Sequence, residues 1–298
     1  MIPSGEKLTQ LEKELSQYMG EDKIVSSREL ATQLDKIPTR VFKTGVASMD
    51  RILEGIEPGE LIVVTGPSGQ GKTTFLMSIT KNLTEKAAWF TLEVTPKQFL
   101  KKIIASDNEL PLFYLPAKNI ENNIDWLLKR IIEAKVKFDT NIIFIDHLHQ
   151  IFSIERVKNN TSLEIGDVVA QIKKIAIDYG LTIFLIAHNK DRIDMKEPQM
   201  ADIRDSGMIC RLADTVMGIW RVPNLKKDET MEQKVKVSRM KECGEDDNWS
   251  KVRIWKNRRE GKLGFWFMTH KNHYLKEYNP EENSLSASLE KYKDEELF

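Results

Sequence analysis

From about Val41 onward, short continuous apolar runs alternate with amphipathic stretches. Leu61-Ile62-Val63-Val64-Thr65 lies between Pro58-Gly59 and Gly66-Pro67. A run of that length with turn residues at both ends reads as a strand buried on both faces. Ala87–Leu92, Asn141–Asp146 and Leu181–Ala187 repeat the pattern and predict three more strands. Between them, Thr73–Leu83, Pro96–Ala105 and residues 120–135 carry apolar residues at helical spacing. Thr161-x-x-Glu164 is a capping-box pattern. It opens a helix with Ile165, Val168, Val169, Ile172, Ile175, Ala176 and Tyr179 on one face. Asp214–Arg221 predicts a fifth strand, and Val235–Met240, Ser250–Trp255 and Gly264–Met268 later antiparallel ones. Strands alternating with helices imply an α/β fold with a mostly parallel central sheet covered on both faces.

The ends differ from this core. Leu8, Leu11, Leu15 and Met19 recur at helical spacing, and a second short helix starts at Ser26-Ser27-Arg28-Glu29, capped by Ser26 or Ser27 and ended by Pro38. Their apolar stripes are thin, so residues 1–38 are expected to be a helical linker that packs on a neighbouring molecule. Residues 39–278 form the main domain. Residues 279–298 are expected to be an acidic, solvated tail, with six acids and two lysines from Glu281 onward.

Composition narrows the function classes. Lys+Arg and Asp+Glu are both 45, so the formal net charge is zero. That disfavours coating nucleic acid by bulk positive charge and leaves open a grip through a local loop or ring. The two cysteines, Cys210 and Cys243, make neither a disulfide scaffold nor a clustered zinc site. The polar N-terminus is not a secretion signal, and no run of about 18 apolar residues exists to span a membrane. A cytoplasmic protein is expected.

Gly66-Pro67-Ser68-Gly69-Gln70-Gly71-Lys72-Thr73 matches G-x-x-x-x-G-K-S/T between a predicted strand and a predicted helix. Glycines let the backbone curl so that successive N–H groups meet phosphate oxygens at a helix N-terminus. Residues 66–74, closing on Thr74, are the expected ATP (or other NTP or dNTP) contacts. Lys72 is placed to meet the β and γ phosphates, and Thr73 to hold Mg²⁺. Asp146, at the carboxyl end of its strand, suits a Mg²⁺-water ligand. Glu93, just past another strand end, suits the base that activates the attacking water. His188 at a strand end suits a γ-phosphate sensor. His147 and His149 flank Leu148 without a third or fourth metal ligand in view. Lys256-Asn257-Arg258-Arg259 suits either a basic hairpin turn or an arginine finger inserted into another subunit's site.

Together these pieces resemble the DnaB-type hexameric replicative helicases, with their phage and mitochondrial relatives, from about Phe42 to Tyr278. The entry Thr44-Gly45-Val46-Ala47-Ser48-Met49-Asp50 is shared with RadA-like and clock-protein RecA ATPases. Thr91-Leu92-Glu93 is similar to the family's Ser-Leu-Glu segment. Asp202-Ile203-Arg204-Asp205-Ser206-Gly207 with Leu212-Ala213-Asp214 is similar to its Leu-Arg-Glu-Ser-Gly and Ala-Asp block, with Asp205 in place of the commoner Glu. Lys256-Asn257-Arg258 with Gly261 and Gly264 is similar to its Lys-Asn-Arg-x-Gly block.

The resemblance implies a RecA-like P-loop core in a ring, usually of six subunits, with nucleotide between subunits. It implies Glu93 as base, His188 where the family has Gln or His, and Arg258 as a finger in trans with Lys256 beside it. The loop from Asn189 to Gly207 would line the channel. Arg204, Asp205 and Gly207 would meet phosphates of single-stranded DNA, with Lys190, Arg192 and Lys196 as further basic candidates. The family usually carries an N-terminal helical domain or primase module where this sequence has about 38 residues. The expected function is an ATP-driven replicative DNA helicase, with primase, polymerase or a loader as further partners. The rivals are a RadA- or clock-like ATPase in recombination or regulation, and a nucleotide-dependent ring scaffold.

Overall fold

The computed structural model describes residues 5–20, 22–34, 40–104, 110–121, 123–147, 151, 161–189, 197–203, 206–221, 249–271 and 274–277. The chain divides into two compact units, Met1–Arg40 and Val41–Phe298. In the first, α1 covers Glu6–Ser16 and α2 covers Ser27–Leu34. The Ser26 hydroxyl accepts the Glu29 N–H at 3.1 Å, so Ser26 is the cap and Ser27 opens the helix. Leu8, Leu11 and Leu15 of α1 are exposed.

The described residues of the second unit include eight strands: β1 (Leu61–Gly66), β2 (Ala87–Thr91), β3 (Ile142–Asp146), β4 (Thr182–His188), β5 (Thr215–Arg221), β6 (Trp249–Asn257), β7 (Gly264–Lys271) and β8 (Tyr274–Glu277). They form one sheet in the order β2-β3-β4-β1-β5-β6-β7-β8. The first five are parallel to one another and the last three antiparallel. Its helices are α3 (Ala47–Ile52), α4 (Lys72–Asn82), α5 (Pro96–Ile104), α6 (Ile124–Phe138), α7 (Thr161–Asp178) and α8 (Ser206–Leu212).

The continuous apolar runs follow from two-sided burial. Along β1, Ile62 and Val64 enter one core cluster with Phe75 and Ile79 of α4. Leu61 and Val63 enter the other with α6 residues Leu127 and Ile131 and α7 residues Val169 and Ile172. Each face has its own helical cover, so no position in the run can be polar for solvent's sake. On the α4 face, Trp89, Phe144 and Phe184 stack across neighbouring strands at centroid distances of 4.7 and 5.0 Å. The Trp89 indole N–H donates to Thr80 Oγ1 at 3.0 Å, which gives its buried polar atom a partner.

Several boundaries differ from the sequence expectation. β6 runs two residues beyond Trp255, so Lys256 and Asn257 lie on the strand, paired with Val216 and Thr215 of β5. The expected loop over 189–207 ends earlier, because α8 starts at Ser206 and puts Gly207 in its first turn. Ile209 and Ala213 are fully buried there, and that apolar pair draws the segment onto the α7 side of the sheet. β8 pairs with β7 and delivers the Leu275 N–H to Ser78 Oγ of α4 at 2.8 Å. The predicted strand Val235–Met240, Cys243 and the tail 279–298 lie outside the described residues. Among the described residues, no helix is long and apolar enough to cross a membrane.

Candidate functional site

The loop between β1 and α4 follows from its glycines. Gly66, Gly69 and Gly71 have φ of 148°, 72° and 92°. At Gly66 a Cβ would lie 2.2 Å from the Ile219 carbonyl oxygen of β5, so only hydrogen fits. Gln70 anchors the loop from the other side, its Oε1 accepting the Arg221 N–H at 2.7 Å.

Lys72 opens α4 and is buried, 5% exposed. Its ammonium donates to the Gly66 and Pro67 carbonyls at 2.9 and 2.8 Å. Burial pulls its pKa down to about 8, against the opposing pull of Asp146 and Glu93. Thr73 Oγ1 donates to Asp146 Oδ2 at 3.0 Å. Asp146 is 5% exposed, and burial pushes its carboxyl up to about 6, with the Glu93 charge adding to the rise and the Thr73 hydrogen bond opposing it. Asp146 Oδ1 is buried without a hydrogen-bond partner among the described residues. A desolvated carboxylate oxygen beside a threonine hydroxyl suits hydrated Mg²⁺, so these residues fit the expected ion.

The register Thr91↔Asp146 sets the strand ends of β2 and β3 side by side. The turn after β2 is held by Thr91 Oγ1 donating to the Val94 carbonyl at 3.1 Å and Asn119 Nδ2 donating to the Thr91 carbonyl at 2.7 Å. Glu93 projects from this turn and contacts His147 Nε2. Burial lowers the His147 pKa, with Glu93 opposing and Lys72 adding to the fall. The His147 ring lies 4.1 Å from the His188 ring. Thr65 Oγ1 donates to Asn189 Oδ1, and Asn189 bridges Ile203, which ties the segment after His188 to the strand before the phosphate loop.

Lys72, Thr73, Thr74, Glu93, Asp146, His147 and His188 line one cavity of about 650 Å³ with Ser68, Gly69 and Gly71. The structure thus brings Ser68, Gly69, residues 71–74, Glu93, Asp146 and His188 together, whereas Gly66, Pro67 and Gln70, also expected to meet nucleotide, do not line the cavity. The cavity also takes in Phe99, Lys102, Arg221, His270 and Tyr274. No motif marked these, because they reach the cavity through α5 and the C-terminal strands. His147, next to Asp146 in the chain, stood out in the sequence only beside His149, as a pair without a third or fourth metal ligand.

Lys256 and Arg258 do not line that cavity. Lys256 Nζ donates to the Cys210, Arg211 and Ala213 carbonyls at 2.7, 3.3 and 2.6 Å, at the C-terminus of α8. Arg258 donates to Asp214 Oδ1 at 3.2 Å and to the Arg211 carbonyl at 2.6 Å, with half its side chain exposed. Arg259, by contrast, is pinned by Glu57, Glu60 and the Leu53 and Gly55 carbonyls. Of the expected DNA contacts, Gly207 sits in α8 with open space at its Cα. Lys190, Arg192, Lys196, Arg204 and Asp205 lie outside the described residues, as does His149.

A family model, the DnaB-like helicase C terminal domain, matches residues 42–135 and 117–279. A probable replicative DNA helicase of Guillardia theta is 24% identical, covering 61% of this chain and 36% of its own length. One of Trieres chinensis is also 24% identical, covering 74% and 58%. The chain therefore spans from about a third to about three-fifths of these relatives. A solved DnaB-like replicative helicase, described with its interactions with primase, superposes with a TM-score of 0.63 at 16% identity. It covers 90% of this chain and 70% of that one, and the likeness shows the shared fold. The model match extends over most of the sequence through phosphate loop, sheet and C-terminal strands, and the chain belongs to the DnaB-like helicase C-terminal domain family.

Proposed function

We propose that this chain is the motor of an ATP-driven ring helicase that moves along single-stranded DNA. The observation that carries the reading is the split arrangement of charge. Lys72, Thr73, Glu93 and Asp146 share one cavity, whereas Arg258 lies off it, half exposed. A guanidinium held at the surface, off its own chain's cavity, is placed to serve the cavity of a neighbouring copy, as hydrolysis between subunits requires. By this reading 1–38 is a linker, 39–278 the motor and 279–298 a tail.

Thr73 and Asp146 would hold Mg²⁺, which would supply charge neutralisation at the phosphate oxygens. Lys72 meets those oxygens with the ammonium that now rests on the loop carbonyls. Glu93 takes a proton from water as the water oxygen bonds to the γ-phosphorus. The bond from that phosphorus to the bridging oxygen breaks, and its electron pair leaves on ADP. Arg258 of a neighbouring copy stabilises the charge in transit. His188 and the Thr65–Asn189 pair link the site to the segment 189–207, where Arg204, Asp205 and Gly207 are the DNA contacts, with Lys190, Arg192 and Lys196. Six copies of one short segment concentrate DNA contacts without a net positive charge. A primase, polymerase or loader completes the partner set.

The test is ATP hydrolysis with and without single-stranded DNA, with light scattering on the same sample and strand displacement on a forked duplex. Rings whose hydrolysis rises with DNA and which displace the strand are expected. Rings that hydrolyse ATP yet neither respond to DNA nor displace a strand would refute the helicase reading.

A further inference from the structure

We infer that His147 is the positioning residue that holds Glu93 in line for the attacking water and joins it to His188. The inference rests on the reading of Glu93 as general base.

The geometry starts from the backbone. Successive side chains of a strand face opposite ways, so Asp146 and the next residue should not share a cavity. Both line it. The break in alternation is at His147, where φ is 77°, in the left-handed region that few side chains adopt. Glu54 and Asp139 are the other non-glycine residues with positive φ among the described residues. Asp139 caps the C-terminus of α6, a role that calls for that conformation. Glu54 follows α3, and neither lines the cavity. At His147 the unusual conformation ends no helix. It turns an imidazole back over the strand end and into the site.

That imidazole reaches three neighbours. Nε2 contacts the Glu93 carboxylate, which has no other hydrogen-bond or ion-pair partner among the described residues. Nδ1 lies 3.2 Å from Asp146 Oδ1, and no hydrogen bond joins them. The ring face packs on His188. Since Nδ1 carries no bond, the N–H is assigned to Nε2, where it donates to Glu93. Glu93 itself is 53% exposed on a turn and needs an external hold to keep one rotamer. The His147 side chain is 8% exposed and therefore fixed. A rigid donor on a mobile carboxylate aims its free oxygen, and the packed His188 ring ties that aim to the strand end that precedes Asn189.

Two amides separate this role from simple backbone fit. Asn tolerates the left-handed conformation better than Gln. Gln, not Asn, carries an N–H₂ at the distance of Nε2. Steady-state hydrolysis by the full chain with single-stranded DNA is measured for His147→Asn, His147→Gln and Glu93→Gln. Glu93→Gln is expected to lower kcat by about 100-fold or more. His147→Asn should lower kcat by roughly 10–100-fold with KM within about two-fold, and His147→Gln should recover most of that loss. In the Glu93→Gln background, His147→Asn should add no further loss. Asn performing as well as Gln, or a rise in KM at unchanged kcat, would overturn the positioning role. An inactive Glu93→Gln chain beside a fully active His147→Asn chain overturns the inference alone. A fully active Glu93→Gln chain overturns the general-base reading, and the inference with it.

Discussion

Asp146 is kept at a cost to stability, and its removal measures that cost. Asp146→Asn is nearly isosteric, and the amide oxygen can still accept from the Thr73 hydroxyl. In the folded, nucleotide-free chain burial raises the carboxyl pKa from 3.8 to about 6. At about 1.4 kcal/mol per pKa unit, ionising it at neutral pH costs about 3 kcal/mol. The new amide N–H₂ replaces the oxygen that had no partner, and an unsatisfied donor costs about 1 kcal/mol. The net expectation is a gain of about 2 kcal/mol, or about 4–8 °C in Tm for a domain of this size. The pH dependence fixes the cause. Between about pH 4 and pH 6 the folded state binds the proton more tightly than the unfolded state, so wild-type stability falls as pH rises through this window. The variant lacks that fall. Urea unfolding followed by circular dichroism from pH 4 to pH 8 should show its advantage growing up to about pH 6 and then staying level. Saturating Mg²⁺-nucleotide should reverse the order, because ligand at 100 times its Kd adds about 2.7 kcal/mol to the wild type. A variant less stable than wild type at pH 7.5, or an advantage that does not change with pH, would refute the reasoning.

Asp214 joins three elements: it accepts the Leu61 N–H at 2.8 Å and pairs with Lys173 and Arg258. Asp214→Ala leaves the mostly buried Lys173 with the Gly59 carbonyl alone, so a loss of about 3 kcal/mol is expected in urea unfolding, partly restored by Lys173→Met. Little or no loss would show that the pair is already well hydrated. Gly66→Ala sets a methyl against the Ile219 carbonyl and should lower both Tm and nucleotide affinity, read by thermal melts with and without nucleotide. Arg258→Ala should abolish hydrolysis while leaving nucleotide binding largely intact. Mixed with wild type it should depress hydrolysis more than in proportion, and a linear dependence on the wild-type fraction would refute a finger in trans.

The fold was largely legible because two-sided burial writes itself into sequence. Leu61–Val64, Ile142–Ile145 and Ile183–Ala187 could only be central strands, and the glycine spacing of 66–71 could only be a tight loop. That Lys72, Thr73, Glu93, Asp146 and His188 would share one cavity was legible for the same reason, since each follows or ends such a run. What stayed hidden came from elements with weak local signals. The short α8 and the four-residue β8 are stabilised by what they pack against, namely α7 and α4.

By itself the sequence determined the strand and helix alternation, the phosphate loop and the strand-end acids, because period, length and glycine placement are local properties of the chain. The tertiary structure decided which side chains meet. Only parallel pairing of β2 with β3 brings Glu93 beside Asp146. Only the left-handed turn at His147 puts its ring between Glu93 and His188. Only the antiparallel β5–β6 pair sets Lys256 on the carbonyls of α8 and leaves Arg258 half exposed, away from the cavity. These contacts join residues far apart in the chain, and local periodicity carries no information about them.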